Sequence, residues 1–249
     1  MRSALYEIEA AVEETHWWFV GRRKLFAREL LKAGVSMNAR VLDVGTSTGS
    51  NLRMLRRLGF HNAIGIDPSE EALRFCKMKR HGSVVRGDIR ALPFPSGSVD
   101  LVLATDVIEH VEDDLLALRE ISRVLAPGGK VLITVPAFQS LWGPEDVRSW
   151  HKRRYRLRPL VELIAASGLR PIVTYYFNYL LFVPVWIVRH SVERLGIRLE
   201  SESQLNAPVL NAFLAMIFSL DVMTASWIRP PFGVSILCLA EAAESKARA

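Results

Sequence analysis

The sequence predicts a doubly wound α/β domain with seven strands, a helical arm at its N-terminus and a helical insertion before the last strand. Three observations carry this. From residue 40 to 136, short apolar runs alternate with amphipathic segments, the order of a parallel sheet with helices on both faces. The apolar run Val41–Val44 enters a Gly-containing turn, Gly45-Thr46-Ser47-Thr48-Gly49, and a helix follows. Asp43, Asp67 and Asp88 stand 24 and then 21 residues apart, about one βα unit each. All three therefore belong at the carboxyl edge of the sheet, where ligands bind in such folds.

The elements follow in order. Met1–Leu31 reads as a helical arm ahead of the first strand. Arg40–Val44 is a strand, Ser50–Leu58 a helix stopped by Gly59, and Ala63–Ile66 a strand. Ser69–Arg80 is a helix: Ser69 caps it, and Glu70 and Glu71 complement its dipole. Ser83–Arg86 and Val99–Ala104 are strands. Asp113–Leu125 is a helix stopped by Pro127-Gly128-Gly129, and Lys130–Val135 is a strand. Arg158–Ala166 is a helix, with Pro159 in its first turn and Gly168 beyond its end. Arg170–Tyr176 and Val234–Ala240 are the last two strands.

Two apolar segments lie towards the end of the chain. Tyr175–Val188 is too short to span a bilayer and contains Pro184. Pro208–Ile228 is long enough, but Asp221 interrupts it, with Asn211 and Ser219 alongside. An insertion packed on the domain, or lying in a membrane interface, fits better than a spanning helix. The chain reads as a single domain over 1–249, with an arm at 1–35, a core at 36–176, an insertion at 177–230, and the last strand and tail at 231–249.

Half the residues are hydrophobic and 23% are charged, with a mean hydropathy of +0.16, so a packed core forms and wholesale disorder is excluded. Cys76 and Cys238 fit no metal-ligand spacing, and neither a disulfide scaffold nor a metal module is expected. The cysteine usage suits a reducing cytoplasm, and the acidic Met1–Glu14, with no apolar h-region, does not read as a secretory signal. The net charge of +6 equals the run Arg148, Lys152, Arg153, Arg154, Arg156 and Arg158, which no acid interrupts. The bland reading is a solvated charged face; the sharper one is an anionic acceptor or surface.

The turn Asp43-Val44-Gly45-Thr46-Ser47-Thr48-Gly49 resembles the first motif of the class I S-adenosylmethionine-dependent methyltransferases, in their small-molecule branch. Ser47 stands where that motif has its middle glycine. The resemblance extends to Ile64-Gly65-Ile66-Asp67, Gly87-Asp88-Ile89, Phe94–Val102, Thr105–Val111 and Leu125–Gly129, and covers residues 40 to 136. It implies a Rossmann-like methyltransferase sheet, mostly parallel with an antiparallel last strand, and S-adenosyl-L-methionine as cofactor. It implies that the backbone about Gly45, Ser47 and Gly49 holds the amino-acid part, Asp67 the ribose diol, and Asp88-Ile89 the adenine. Asp43 opens the motif, and Thr105 lies where the family lines the methyl-donor site. The arm, with His16-Trp17-Trp18-Phe19 and Arg22-Arg23, is similar to that of a subset of bacterial methyltransferases. As plain packing, the tryptophan pair pins the arm to the core; the alternative is a lid over cofactor or substrate.

Methyl transfer needs an oriented nucleophile, and a hydroxyl acceptor gains from a base. The candidates are His151 and His110, each a residue type that alone is more often structural, and, as a weaker one, Asp106. The expected acceptor is a small or lipid-linked anionic molecule, because the basic run and the apolar insertion flank the same late part of the chain. Peripheral attachment to an anionic membrane surface, at its inner face, is the matching expectation, through Arg189, Arg194, Arg198 and Arg229 beside the apolar segments. A dimer face is the alternative use of that surface. An S-adenosylmethionine-binding protein without turnover and an RNA methyltransferase are the rival functions. Nucleic-acid base methylation is disfavoured because Thr105-Asp106-Val107-Ile108 lacks the Asn/Asp-Pro-Pro-aromatic signature. An NAD-dependent oxidoreductase is disfavoured because G-x-G-x-x-G is not met.

Overall fold

The computed structural model describes residues 3–195 and 207–242. Seven strands, β1 (Val41–Val44), β2 (Ala63–Asp67), β3 (Ser83–Arg86), β4 (Val99–Thr105), β5 (Leu125–Pro136), β6 (Leu169–Phe177) and β7 (Ser235–Ala242), form one sheet in the order β3-β2-β1-β4-β5-β7-β6. β7 pairs antiparallel with both β5 and β6, and the other pairings are parallel, as expected. The order reverses between β1 and β4. That is the switch point where a crevice opens at the strands' carboxyl ends.

The period-2 alternation of β4 builds two cores. Val102 and Ala104 face one layer, with Ala117, Leu118 and Ile121 of α5 (Asp114–Val124) and Leu160 and Ile164 of α7 (Leu157–Ala166). Leu101 and Leu103 face the other, with Leu25, Phe26 and Leu30 of α2 (Trp17–Lys32), Leu55 of α3 (Ser50–Arg57), and Phe218, Val222 and Ala225 of α9 (Pro208–Ile228). The arm is thus two helices, α1 (Ser3–Val12) and α2, rather than one continuous element. The expected cap forms where Ser69 accepts from Ala72 N at the start of α4 (Glu70–Met78), and Asp113 likewise accepts from Leu116 N at the start of α5.

Three boundaries differ from expectation. β5 begins at Leu125 rather than Lys130, because the Pro-Gly-Gly segment continues the strand; Gly128 takes a positive φ of 73° there, and the pairing with β4 shifts register between Val99 and Leu101. A short helix, α6 (Pro144–Arg148), follows β5 and was not foreseen. Tyr175–Phe177 belong to β6, so the first apolar segment is split, and its second part becomes α8 (Phe182–Leu195).

The acid inside α9 has a structural reason. Asp221 is fully buried and accepts the backbone N–H groups of Asn178 (2.7 Å), Tyr179 (2.6 Å) and Leu180 (3.1 Å). Those donors belong to the turn from β6 to α8, and for the buried Asn178 N–H the loss of its acceptor would cost about 1–3 kcal/mol. The tryptophan pair anchors the arm. Trp18 stacks on Phe177 and Phe218, and Trp17 meets Phe218 edge-on. α2 and α9 approach so closely that a Cβ on Gly21 would lie 2.1 Å from the Phe218 ring.

Candidate active site

A cavity of about 940 Å³ opens at the switch point, a volume at the upper end of the range for small-molecule sites. It runs from Asp67, Gly87, Asp88 and Ile89, past Gly45 and Ser47, to Glu109, His110 and His151, where α8 and α9 wall it. Gly45, Ser47, Asp67, Asp88, Ile89, Thr105, Asp106, His110 and His151 all line it. Asp43 and Gly49 are not among the lining residues and act from beneath.

The turn shows why these residue types are needed. Asp43 is fully buried; it accepts from Thr46 Oγ1 (2.7 Å) and Asn51 Nδ2 (3.0 Å), and burial raises its pKa to about 6. It therefore braces the turn rather than touching a ligand. Gly45 has φ 67°, and a Cβ there would come within 2.6 Å of Val107. Ser47 adopts φ 47°, so the left-handed turn survives without the middle glycine. Its N–H donates to Asp67 Oδ2 (3.0 Å), and its hydroxyl donates to Glu9 Oε2 (2.9 Å) on the arm. Glu13, buried, holds Thr48 and Lys79. The arm thus closes over the turn through its acids Glu9 and Glu13.

Asp67 accepts from Ser69 N (2.9 Å) as well as from Ser47, and each carboxylate oxygen keeps acceptor capacity for a diol. Burial raises its pKa. Asp88 is more exposed and carries a bidentate pairing with Arg90, whose hydrogen bonds lower its pKa. These groups fit S-adenosylmethionine: a diol acceptor at Asp67, a glycine turn too tight for a Cβ, and a cavity long enough for cofactor and acceptor together.

The other end is polar and tightly built. His110 lies in a single 3-10 turn, Ile108–His110, after β4. The segment after α6 returns to that turn: Lys152 N donates to Glu109 O (2.7 Å), and His151 N to Asp146 O (2.9 Å). The rings of His110 and His151 meet edge to face at 4.7 Å. His151 Nδ1 lies 2.7 Å from Asp146 Oδ1, and a carboxylate there requires Nδ1 to donate, which in the neutral ring leaves a lone pair on Nε2. Arg154 grips both oxygens of Asp146 at 2.9 Å. Although burial opposes it, these bonds from His151 and Arg154 hold Asp146 at a pKa of about 2. Burial, then the neighbouring His151, lowers the His110 pKa to about 4. Glu109 is fully buried, and neither carboxylate oxygen has a hydrogen-bond partner among the described residues; burial, then Asp106, raises its pKa well above the usual range.

Two expectations are corrected. Asp106 is no free base: Arg22 holds Oδ2 at 2.7 Å and Thr134 Oγ1 donates to Oδ1 at 3.0 Å. The basic run is not an open positive face. Arg148 pairs with Glu145, Lys152 with Glu112, Arg153 with Asp114, Arg154 with Asp146 and Arg158 with Glu162. Arg189 likewise turns inward, donating to Leu141 O and lying 3.8 Å from Asp146, rather than reaching a lipid headgroup. Arg194 and Arg198 lie outside the residues whose side chains are described. Sequence reasoning missed Glu109 and Asp146 as site residues.

Residues 42–133 match the Methyltransferase domain family. The chain is 30% identical over 154 residues to an uncharacterized methyltransferase of Mycolicibacterium gilvum, covering 53% of this chain and 60% of that one. It is 32% identical over 134 residues to a demethylmenaquinone methyltransferase of Staphylococcus aureus, covering 49% and 56%. The chain thus spans little more than half the length of these curated relatives. Among solved structures, the methyltransferase in the Haloferax volcanii complex with the Trm112 methyltransferase activator superposes with a TM-score of 0.66 at 21% identity, over 98% of this chain and 97% of that one. A Thermotoga maritima methyltransferase superposes with a TM-score of 0.57 at 19% identity, over 96% of each.

Proposed function

We propose that this chain, a class I S-adenosylmethionine-dependent methyltransferase by domain and fold, transfers the methyl group to a small, lipid-linked acceptor at a membrane surface. One observation carries the acceptor class. The helices that wall the acceptor end of the cavity, through Val185, Val188, Leu210 and Leu214, also carry apolar side chains exposed on the outside. On α9, Val209, Phe213, Met216, Leu220, Met223 and Trp227 recur at helical spacing along one exposed stripe. Apolar surface of that extent on two neighbouring helices suits a membrane interface that an acceptor enters directly. The name of the Staphylococcus aureus relatives fits a quinone-like lipid acceptor. The anionic part of the expectation has less support, since most of the basic run is paired within the chain.

The cofactor supplies an activated methyl on a sulfonium. The chain's own residues orient and exclude. Asp67 and the Gly45–Gly49 turn fix one end, and the arm, through Glu9 and Ser47, closes over it. His151, aimed by Asp146, presents its Nε2 lone pair to the acceptor as base or anchor. Positioning of this kind supplies much of the rate in displacements.

Lipid extract incubated with the protein and labelled methyl donor tests the activity: label is expected in an apolar product and reduced with Asp67→Ala. Label confined to RNA would replace this reading with the RNA rival. Cofactor bound but never consumed, across extracts, would leave a binding protein. Co-sedimentation with vesicles tests the surface; a protein indifferent to phosphatidylglycerol vesicles while still binding cofactor would end the membrane part.

A further inference from the structure

We propose that Glu109, His110 and His151 bind a first-row divalent transition-metal ion at the acceptor end of the cavity. One ligand atom from each lies within 4.8 Å of the others, and His151 Nε2 stands 4.0 Å from Glu109 Oε1. Bonds of about 2 Å to a tetrahedral ion set ligand atoms about 3.3 Å apart, so the three side chains need to draw in by about 1 Å.

Three features separate this cluster from a chance grouping. Glu109 is fully buried at the cavity wall, and both its oxygens lack a hydrogen-bond partner among the described residues, an arrangement that is costly unless a cation answers it. His151 donates Nδ1–H to Asp146, the carboxylate–histidine arrangement that orients metal-bound imidazoles and fixes Nε2 as the ligand atom. Asp146 is itself locked by both arms of Arg154. Finally, the chain is pinned where the ligands converge: the Lys152 N–H to Glu109 carbonyl bond staples the segment bearing His151 to the turn bearing Glu109 and His110. Asp106 and Asp146 are each tied to an arginine, whereas neither oxygen of Glu109 has a hydrogen-bond partner among the described residues.

The donor set decides the class of ion. Two imidazoles and one carboxylate suit Zn²⁺, Mn²⁺ or Fe²⁺ and not Mg²⁺, which takes oxygen ligands and keeps its waters. Three protein ligands leave a position open to the cavity. With the ion bound, the Nε2 lone pair of His151 is held by the metal, and the acceptor's oxygen meets the ion instead. This deepens the methyl-transfer reading and rests on it for its purpose, but metal binding itself does not.

The test is calorimetric titration of the chelator-stripped protein with Zn²⁺ and with Mg²⁺, and of the same stocks with S-adenosylmethionine. One equivalent of Zn²⁺ is expected to bind, with no competition from millimolar Mg²⁺. His151→Ala and Glu109→Gln should abolish saturable binding, and Asp146→Asn should weaken it about 10- to 100-fold, the usual effect of removing such a supporting group. X-ray absorption at the zinc edge of the unaltered protein needs no variant and should count two imidazoles. Absence of a 1:1 site, a site without imidazole, or equal affinity in His110→Ala/His151→Ala would overturn the proposal. Zinc binding without cofactor binding would instead sink the methyltransferase reading and leave the metal site standing.

Discussion

Replacing Asp67 by alanine removes one group from two jobs. Its carboxylate is 6% exposed and holds the Ser47 and Ser69 N–H groups at 3.0 and 2.9 Å, while its remaining acceptor capacity faces the cavity. A hydrogen bond involving a charged group contributes about 1.5–3 kcal/mol. With each 1.4 kcal/mol worth about tenfold, S-adenosylmethionine should bind roughly 10- to 150-fold more weakly to Asp67→Ala. Loosening of the Ser47 turn adds to the upper end. Asp67→Asn retains one acceptor oxygen and should lose less. Calorimetry gives the dissociation constants, and a cooperative melt shows that the variant is folded. Unchanged affinity in a folded Asp67→Ala protein would refute the assignment of the ribose to this carboxylate. Tighter binding of NAD than of S-adenosylmethionine would refute the family reading altogether.

Asp221→Ala should cost about 3 kcal/mol or more, because three backbone donors lose their acceptor at once; a thermal melt should fall by roughly 6–12 °C. Gly21→Ala drives a methyl into the Phe218 ring and should cost about 1–3 kcal/mol, read by denaturant titration at unchanged slope. Glu9 gives the arm a pH response. Burial, with Glu13 beside it, raises its pKa from 4.5 to about 7, so the docked arm holds a proton that the free arm releases. Docking is therefore strongest below pH 4.5 and weakens as pH rises towards 7. Hydrogen exchange in α1, corrected for intrinsic rates, should show this, and Glu9→Gln should flatten it; an unaltered pH response in that variant would place the proton elsewhere.

The core elements were legible because each carries its own period. β1, β2 and β4 are apolar runs bounded by turn residues, and Ser69 and Asp113 announce helices with local side-chain bonds. The cofactor end was legible for the same reason, since its residues follow their own strands at fixed offsets. The acceptor end was not. Glu109 and Asp146 are 37 residues apart and mean nothing singly; they become a site only when Lys152 returns to the turn after β4. The basic run misled for the converse reason. It has no acid within it, but Glu112 and Asp114 wait at the start of α5 and Asp146 lies just upstream, so charge counted along the sequence is cancelled in space. Asp221 looked like an interruption of an apolar helix because its three partners sit more than 40 positions earlier.

The contact between α2 and α9 joins segments nearly two hundred residues apart in the chain. Trp17 N–H reaches Asn211 Oδ1 across 194 positions, and Arg28 reaches the Val222 carbonyl across the same distance. During synthesis, the N-terminal helix leaves the ribosome long before its partner exists. Trp17, Trp18 and the Gly21 groove stay uncovered until the stretch about Phe218 has been made. A message cut short after β5 would encode every residue of the Gly45–Gly49 turn, Asp67 and Asp88. Its product would nevertheless carry a bare aromatic face, making it a substrate for chaperones and proteases, and quality control would act on truncated copies here before any chemistry did.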